Sequence, residues 1–363
     1  MMDIKIYKVW FISVLSSIIF ILFIAGLVNF IVDPLQQYRK ASLYTPYCDE
    51  NKQIYLNPGL AKTHEYDTII IGSSVTENFF PSKIKNKLGF QAIKLSLSGA
   101  SAYEERLIIQ TAIQTKKVRN VIFGLDFYPF SGDPERLREG KKGTPFYLYD
   151  SNYWNDYKYL LSLDTLRYII STISYNFDHH PNLENSMERC YYWGDKFEFS
   201  ADAVRKGWRE NRRQDKIRPR DFKFQILKKS FEINILPIIK QHADIQFYIF
   251  YPPYSILEWQ FYKNKGMIDD LIEFKHYIFK VSSDFPNVRL YDFQALKNIT
   301  HNFRYYKDLN HYSPIVDDFI IEAFVSGNYR VTVEREPLLS RELRTQIDSF
   351  NINSFYIETN SGH

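Results

Sequence analysis

Gly72-Ser73-Ser74 ends a short apolar run, Tyr66 to Ile71, and leads into a segment that reads as helix. A serine on such a strand-to-helix turn presents its hydroxyl and keeps its own N–H at a helix N-terminus, which suits a nucleophile with an oxyanion beside it. Far downstream lies Asp308-Leu309-Asn310-His311. An acyl-transfer serine needs a base, and that imidazole needs a third group to fix its tautomer; Asp308 and His311 offer both from one loop. Between them lie Ser98-Gly99, where glycine lets a backbone N–H approach a substrate oxygen, and Gly124-Leu125-Asp126. Taken singly, each has an ordinary reading: a turn and N-cap, a turn glycine, a capping aspartate, a structural Asp-x-x-His. The other histidines have weaker contexts: His64 and His301 fall in polar loops, His179 and His180 beside Pro181, His242 and His276 on expected helices, and His363 at the end.

The elements that must position these residues follow from periodicity. The apolar, β-branched run Tyr66–Ile71, the alternating segment Gln91–Leu97, and the stretches Val118–Phe123, Ile245–Tyr251 and Val288–Tyr291 read as strands. Helical spacing is expected at Glu77–Leu88, Tyr103–Thr115, Phe222–His242, Ile268–Val281 and Pro314–Ser326, the last opened by Ser313-Pro314 and closed by Gly327. Strands alternating with helices predict an α/β fold, a three-layer sandwich with a central parallel sheet, and place the three serine, glycine and aspartate turns at the carboxyl ends of strands. The regularity stops from Ser131 to Asp221, which reads as an insertion or lid. The expected organisation is an anchor at 1–33, an extended connector at 34–65, an α/β domain at 66–330 with its insertion at about 131–221, and an unplaced polar tail at 331–363.

In this order the four blocks resemble those of the SGNH (GDSL-like) hydrolases. Gly72-Ser73-Ser74 is similar to the first block, with Ser74 in the nucleophile position, and Ser98-Gly99 to the second, where Gly99 would donate its N–H to the oxyanion. Asp308 and His311 match the last block. The usual aspartate before the nucleophile is Ser73 here, as in anchored members resembling the D-alanine transfer protein of teichoic acid and the alginate O-acetyltransferases. The third block normally reads Gly-x-Asn-Asp; Asp126 stands where an oxyanion-binding asparagine would donate, and an ionised carboxylate has no proton to give. The resemblance implies an acyl esterase or O-acyltransferase without cofactor or metal. Its implied substrate is an envelope polysaccharide, with a membrane-embedded acyltransferase as a partner. The alternative, prompted by Asp126, is a non-catalytic module of the same fold that binds polysaccharide or scaffolds such an acyltransferase.

Val9–Val32 runs 24 residues without a charge, and about 20 helical residues cross a bilayer core of about 30 Å. Lys5 and Lys8 precede it, so the positive-inside rule expects a single-pass anchor with a cytoplasmic N-terminus and an extracytoplasmic C-terminal domain. The length of the run and its poor cleavage context weigh against a removed signal peptide. A net charge of +4 gives no reason to expect nucleic acid. Between Arg205 and Arg220 stand eight basic residues, which suit an anionic glycan, lipid headgroups or simply a solvated helix face. The 17% aromatic content fits core rings as well as sugar-stacking ones. Outside the cytoplasm Cys48 and Cys190 could form one disulfide, although their separation gives no spacing signature, and neither reads as a metal ligand.

Overall fold

The computed structural model describes residues 4–180, 187–210 and 217–352. These form two compact units, one drawn from Met1–His64 and Lys142–Met187, the other from Glu65–Lys141 and Glu188–His363.

The second unit is built on one parallel sheet. Its strands, β1 (Thr68–Gly72), β2 (Ala92–Lys94), β3 (Asn120–Gly124), β4 (Gln246–Tyr251) and β5 (Val288–Asp292), lie in the order β2-β1-β3-β4-β5. Every residue of β1 and β3 is buried, which is why Ile69-Ile70-Ile71 and Val121-Ile122-Phe123 are continuous apolar runs. From β1 the chain moves outward to β2 and returns to β3 on the other side of β1. The strand order therefore reverses between β1 and β3, and open parallel sheets form a crevice beyond the carboxyl ends at such a point.

The terminal residues of those two strands, Gly72 and Gly124, pair with each other. Gly72 has a φ of +145°, and a Cβ there would come within 2.8 Å of Thr76 Cγ2 and 2.9 Å of the Gly124 carbonyl oxygen. At Gly124 the same methyl would be only 2.5 Å away. Both strands end in glycine so that Thr76 can fold back over them. One core cluster joins Ile70, Ile122, Tyr248, Phe250 and Tyr291 of the sheet to Val316, Ile320 and Phe324 of the helix Pro314–Ser326. Truncating one of these aliphatic side chains to alanine costs roughly 2–5 kcal/mol, so this cluster fixes the sheet under the crevice.

Several elements differ from the sequence expectation. Ser74–Thr76 makes one 3-10 turn, and the α-helix starts only at Pro81, whose missing N–H is harmless in a first turn. The stretch expected as one helix from Phe222 to His242 is two, Phe224–Asn234 and Leu236–Gln241; Pro237 has no N–H for a continuous ladder. The unplaced tail contains a helix, Glu336–Ser349, which buries Leu339, Leu343 and Ile347 at helical spacing.

In the first unit, Ile4–Val32 is one helix of 29 residues, long and apolar enough to cross a membrane. The segment expected to be an extended connector contains the helix Gln53–Thr63, and Gly59 lets it approach the Leu35 carbonyl more closely than any Cβ would permit. After the long helix, Asp33 accepts the N–H groups of Gln37, Tyr38 and Arg39 and the hydroxyl of Tyr159. A further helix, Leu163–His179, lies where the sequence reads as irregular; the Ser162 hydroxyl caps it by accepting the N–H groups of Asp164 and Thr165.

Candidate active site

Ser74 begins the 3-10 turn directly beyond β1, and its Oγ lies 2.7 Å from His311 Nε2. On the other side of the ring, Nδ1 lies 2.8 Å from Asp308 Oδ2 and 3.0 Å from Oδ1. An ionised carboxylate only accepts, so Nδ1 carries the proton and Nε2 accepts the Ser74 hydroxyl. Asp308 is itself held by the N–H groups of Asn310 at 3.1 Å and His311 at 2.9 Å. Burial opposes its charge, but the His311 ring, its hydrogen bond and the Lys307 ammonium outweigh burial and hold the carboxyl well below the usual range.

The loop carrying Asp308 and His311 is closed on itself. Tyr306 and Tyr312 form an antiparallel bridge, and the Lys307 N–H donates to the His311 carbonyl at 3.1 Å. Side chains bolt the loop to its surroundings. The Tyr306 hydroxyl donates to the Pro253 carbonyl, the Ser255 hydroxyl to the Leu309 carbonyl, and the Tyr312 hydroxyl to the Val75 carbonyl. The helix Ala201–Glu210 crosses against it at Gly207, where a methyl group would sit 3.2 Å from Asp308 Cβ. Glycine costs a helix interior about 1 kcal/mol relative to alanine, and here its missing side chain leaves Asp308 in place.

Gly99 adopts the left-handed conformation, with φ of +64°. The Leu97 N–H donates to the Gly72 carbonyl at 2.9 Å, so the segment leading to Ser98-Gly99 runs beside the one leading to Ser73-Ser74. Among the described residues the N–H groups of Ser74 and Gly99 make no hydrogen bond. The Ser98 carbonyl accepts a hydrogen bond from Arg138 Nη1. Arg138 is in turn held by Glu104, which accepts its N–H at 3.0 Å and, in a capping box, the Ser101 N–H at 2.8 Å.

Asp126 is buried beneath Ser73. One oxygen accepts the Ser73 hydroxyl at 2.7 Å and the other accepts the Tyr254 hydroxyl. Glu105 lies near it, and burial, then the charges of Asp126 and Glu104, hold its carboxyl well above the usual range. Asp126 thus links the residue before Ser74 to the turn after β4.

Trp193 is a site residue that sequence reasoning missed. Its indole N–H donates to the Ser74 carbonyl at 3.2 Å, and its ring meets His311 edge to face with centroids 5.6 Å apart. The Lys307 ammonium lies over Trp193 and Phe197, 4.4 and 3.8 Å from their centroids. The only sequence signal was the aromatic run Tyr191-Tyr192-Trp193. Within the basic stretch, Arg205 pairs with Asp202, and Arg218 pairs with Asp221 at 2.7 Å. Arg212, Arg213 and Lys216 lie outside the described residues.

No protein-family model and no curated protein matches the chain. The site's own geometry therefore carries the chemical reading. It holds a hydroxyl, an imidazole and a carboxylate in series, with two uncommitted N–H groups on adjacent strand-end turns.

Proposed function

We propose that the chain is a serine esterase or O-acyltransferase of the SGNH type, held at a membrane by Ile4–Val32 and acting outside the cytoplasm on a cell-envelope glycan. The observation that carries this reading is the Ser74–His311–Asp308 series, with contacts of 2.7 and 2.8 Å, at the reversal point of a parallel sheet. The strand order β2-β1-β3-β4-β5 also supports an SGNH or flavodoxin-like three-layer arrangement with 131–221 as its insertion.

In the first half-reaction His311 Nε2 takes the Ser74 proton as Oγ attacks the acyl carbonyl. The charge that develops on the carbonyl oxygen meets the N–H groups of Ser74 and Gly99. His311 then returns the proton to the departing alkoxide, leaving an acyl-serine. In the second half, water or a glycan hydroxyl gives its proton to His311 and attacks that ester, and Ser74 recovers its hydrogen. Asp308 stabilises the imidazolium throughout. Asp126 positions Ser73 and supplies no oxyanion donor; one missing donor costs about 10² to 10³ in rate, which makes a slow enzyme the expectation.

The test is covalent labelling of the full chain in detergent with a fluorophosphonate, followed by peptide mapping. Modification of Ser74, lost in Ser74→Ala together with ester cleavage, supports the reading. Absence of labelling in the wild-type chain, with glycan binding unchanged by Ser74→Ala and His311→Ala, favours the binding module instead.

A further inference from the structure

The helix Leu163–His179 has three faces. Thr165, Tyr168, Ile169 and Thr172 are buried. At about 100° per residue, Leu163, Ile170, Ile173 and Phe177 share one sector roughly 80° wide, and all four are exposed, Phe177 by 76% and Ile170 by 64%. The remaining sector carries Asp164, Arg167, Ser171, Ser174 and Asp178. A soluble surface has no reason to segregate apolar from polar side chains so cleanly on the solvent side of one helix.

The location of this helix identifies what covers the apolar face. Asn29, in the last turns of Ile4–Val32, donates its amide to the carbonyls of Leu160 at 2.7 Å and Ser162 at 3.3 Å, so the amphipathic helix starts where the apolar one ends. Just before it, Trp154 is 91% exposed, with Tyr153 and Tyr157 also exposed, as aromatic side chains are at a membrane–water boundary. Between the two helices lies a cavity of about 740 Å³ lined by Ile31, Val32, Tyr44, Ile173 and Phe177, with Arg39 and Lys40 on its wall.

We propose that Leu163–His179 lies in the plane of the membrane interface. Leu163, Ile170, Ile173 and Phe177 enter the acyl region, a lipid chain occupies the cavity beside Ile31, and Arg39 and Lys40 meet lipid phosphates. The inference rests on the reading of Ile4–Val32 as a membrane span.

The experiment reconstitutes the full chain in vesicles of phosphatidylcholine and phosphatidylglycerol in equal amounts. Nitroxide labels are placed one at a time at Phe20→Cys, Arg167→Cys, Ile173→Cys and Phe177→Cys; neither native cysteine is a free thiol, so each label is unique. Collision with oxygen, which concentrates in lipid, is compared with collision with a water-soluble nickel chelate. Positions 173 and 177 are expected to favour oxygen severalfold and position 167 the chelate. Chelate dominance at 173 and 177 overturns the proposal: with oxygen dominance at position 20 the span stands and the interfacial helix fails, and with chelate dominance there too the span fails with it.

Discussion

Tyr312, one residue past the imidazole, donates its hydroxyl to the carbonyl of Val75, one residue past Ser74, at 2.9 Å. This hydrogen bond joins the loop of His311 to the turn of Ser74. Tyr312→Phe leaves a buried carbonyl unpaired, at a cost of about 1–3 kcal/mol, and frees the two segments to drift. The rate of fluorophosphonate acylation is expected to fall about tenfold, alongside a lower urea midpoint. An unchanged acylation rate with the same loss of stability would make the contact purely structural.

Asp308 is held well below the usual carboxylate range, so it stays ionised throughout the working pH range and any acid limb of activity belongs to another group. Asp308→Asn removes the acceptor that keeps the proton on Nδ1. Turnover is expected to drop by on the order of 10⁴ with the fold intact, as read by ester hydrolysis and circular dichroism. A loss below tenfold would contradict the assigned tautomer.

Arg138 donates to the Ser98 carbonyl, which shares a peptide unit with the Gly99 N–H. Polarising that carbonyl makes the N–H a better donor. Arg138→Met is expected to lower kcat about tenfold with KM unchanged, a smaller effect than the roughly 10² to 10³ of losing an oxyanion donor outright, and Arg138→Lys should recover part of it. A change confined to KM would point to substrate contact instead.

Lys94 is buried and donates to the Glu77 carbonyl at 2.7 Å. Burial lowers its pKa to about 7, against the raising effect of Glu77, Glu188 and Asp317, from an ordinary value of 10.5. Between those values the unfolded chain binds a proton that the folded chain does not, so stability rises with pH across that window. Urea unfolding from pH 7 to 10 is expected to show the rise in the wild type and to lose it in Lys94→Met; an equal rise in the variant assigns it to other groups.

How much of this was legible in the sequence depended on the kind of interaction. β1, β3 and Pro314–Ser326 were readable because burial on both faces leaves continuous apolar runs and because Pro314 and Gly327 mark the helix ends, whereas β2, Ala92-Ile93-Lys94, was read from alternation. Ser74, Asp308 and His311 were found by their places at strand ends, and the structure brings them together. Asp126 was read as standing in an oxyanion position; its partners, Ser73 and Tyr254, come from turns 53 and 128 residues away and leave no local pattern. Trp193 and Gly207 touch the site through contacts of the same long-range kind. Leu163–His179 was hidden because its β-branched and aromatic residues weaken helix propensity, and because its apolar positions fall in two sectors, one buried and one exposed.

Because a single bridged loop from Tyr306 to Tyr312 carries both Asp308 and His311, a displacement of that loop as a unit would move the two side chains together. Such a movement would change the Ser74–His311 distance and leave the His311–Asp308 contact intact. The tautomer of His311 and its distance from Ser74 are therefore set by separate contacts, the first by Asp308 within the loop and the second by where the Tyr306–Tyr312 loop sits.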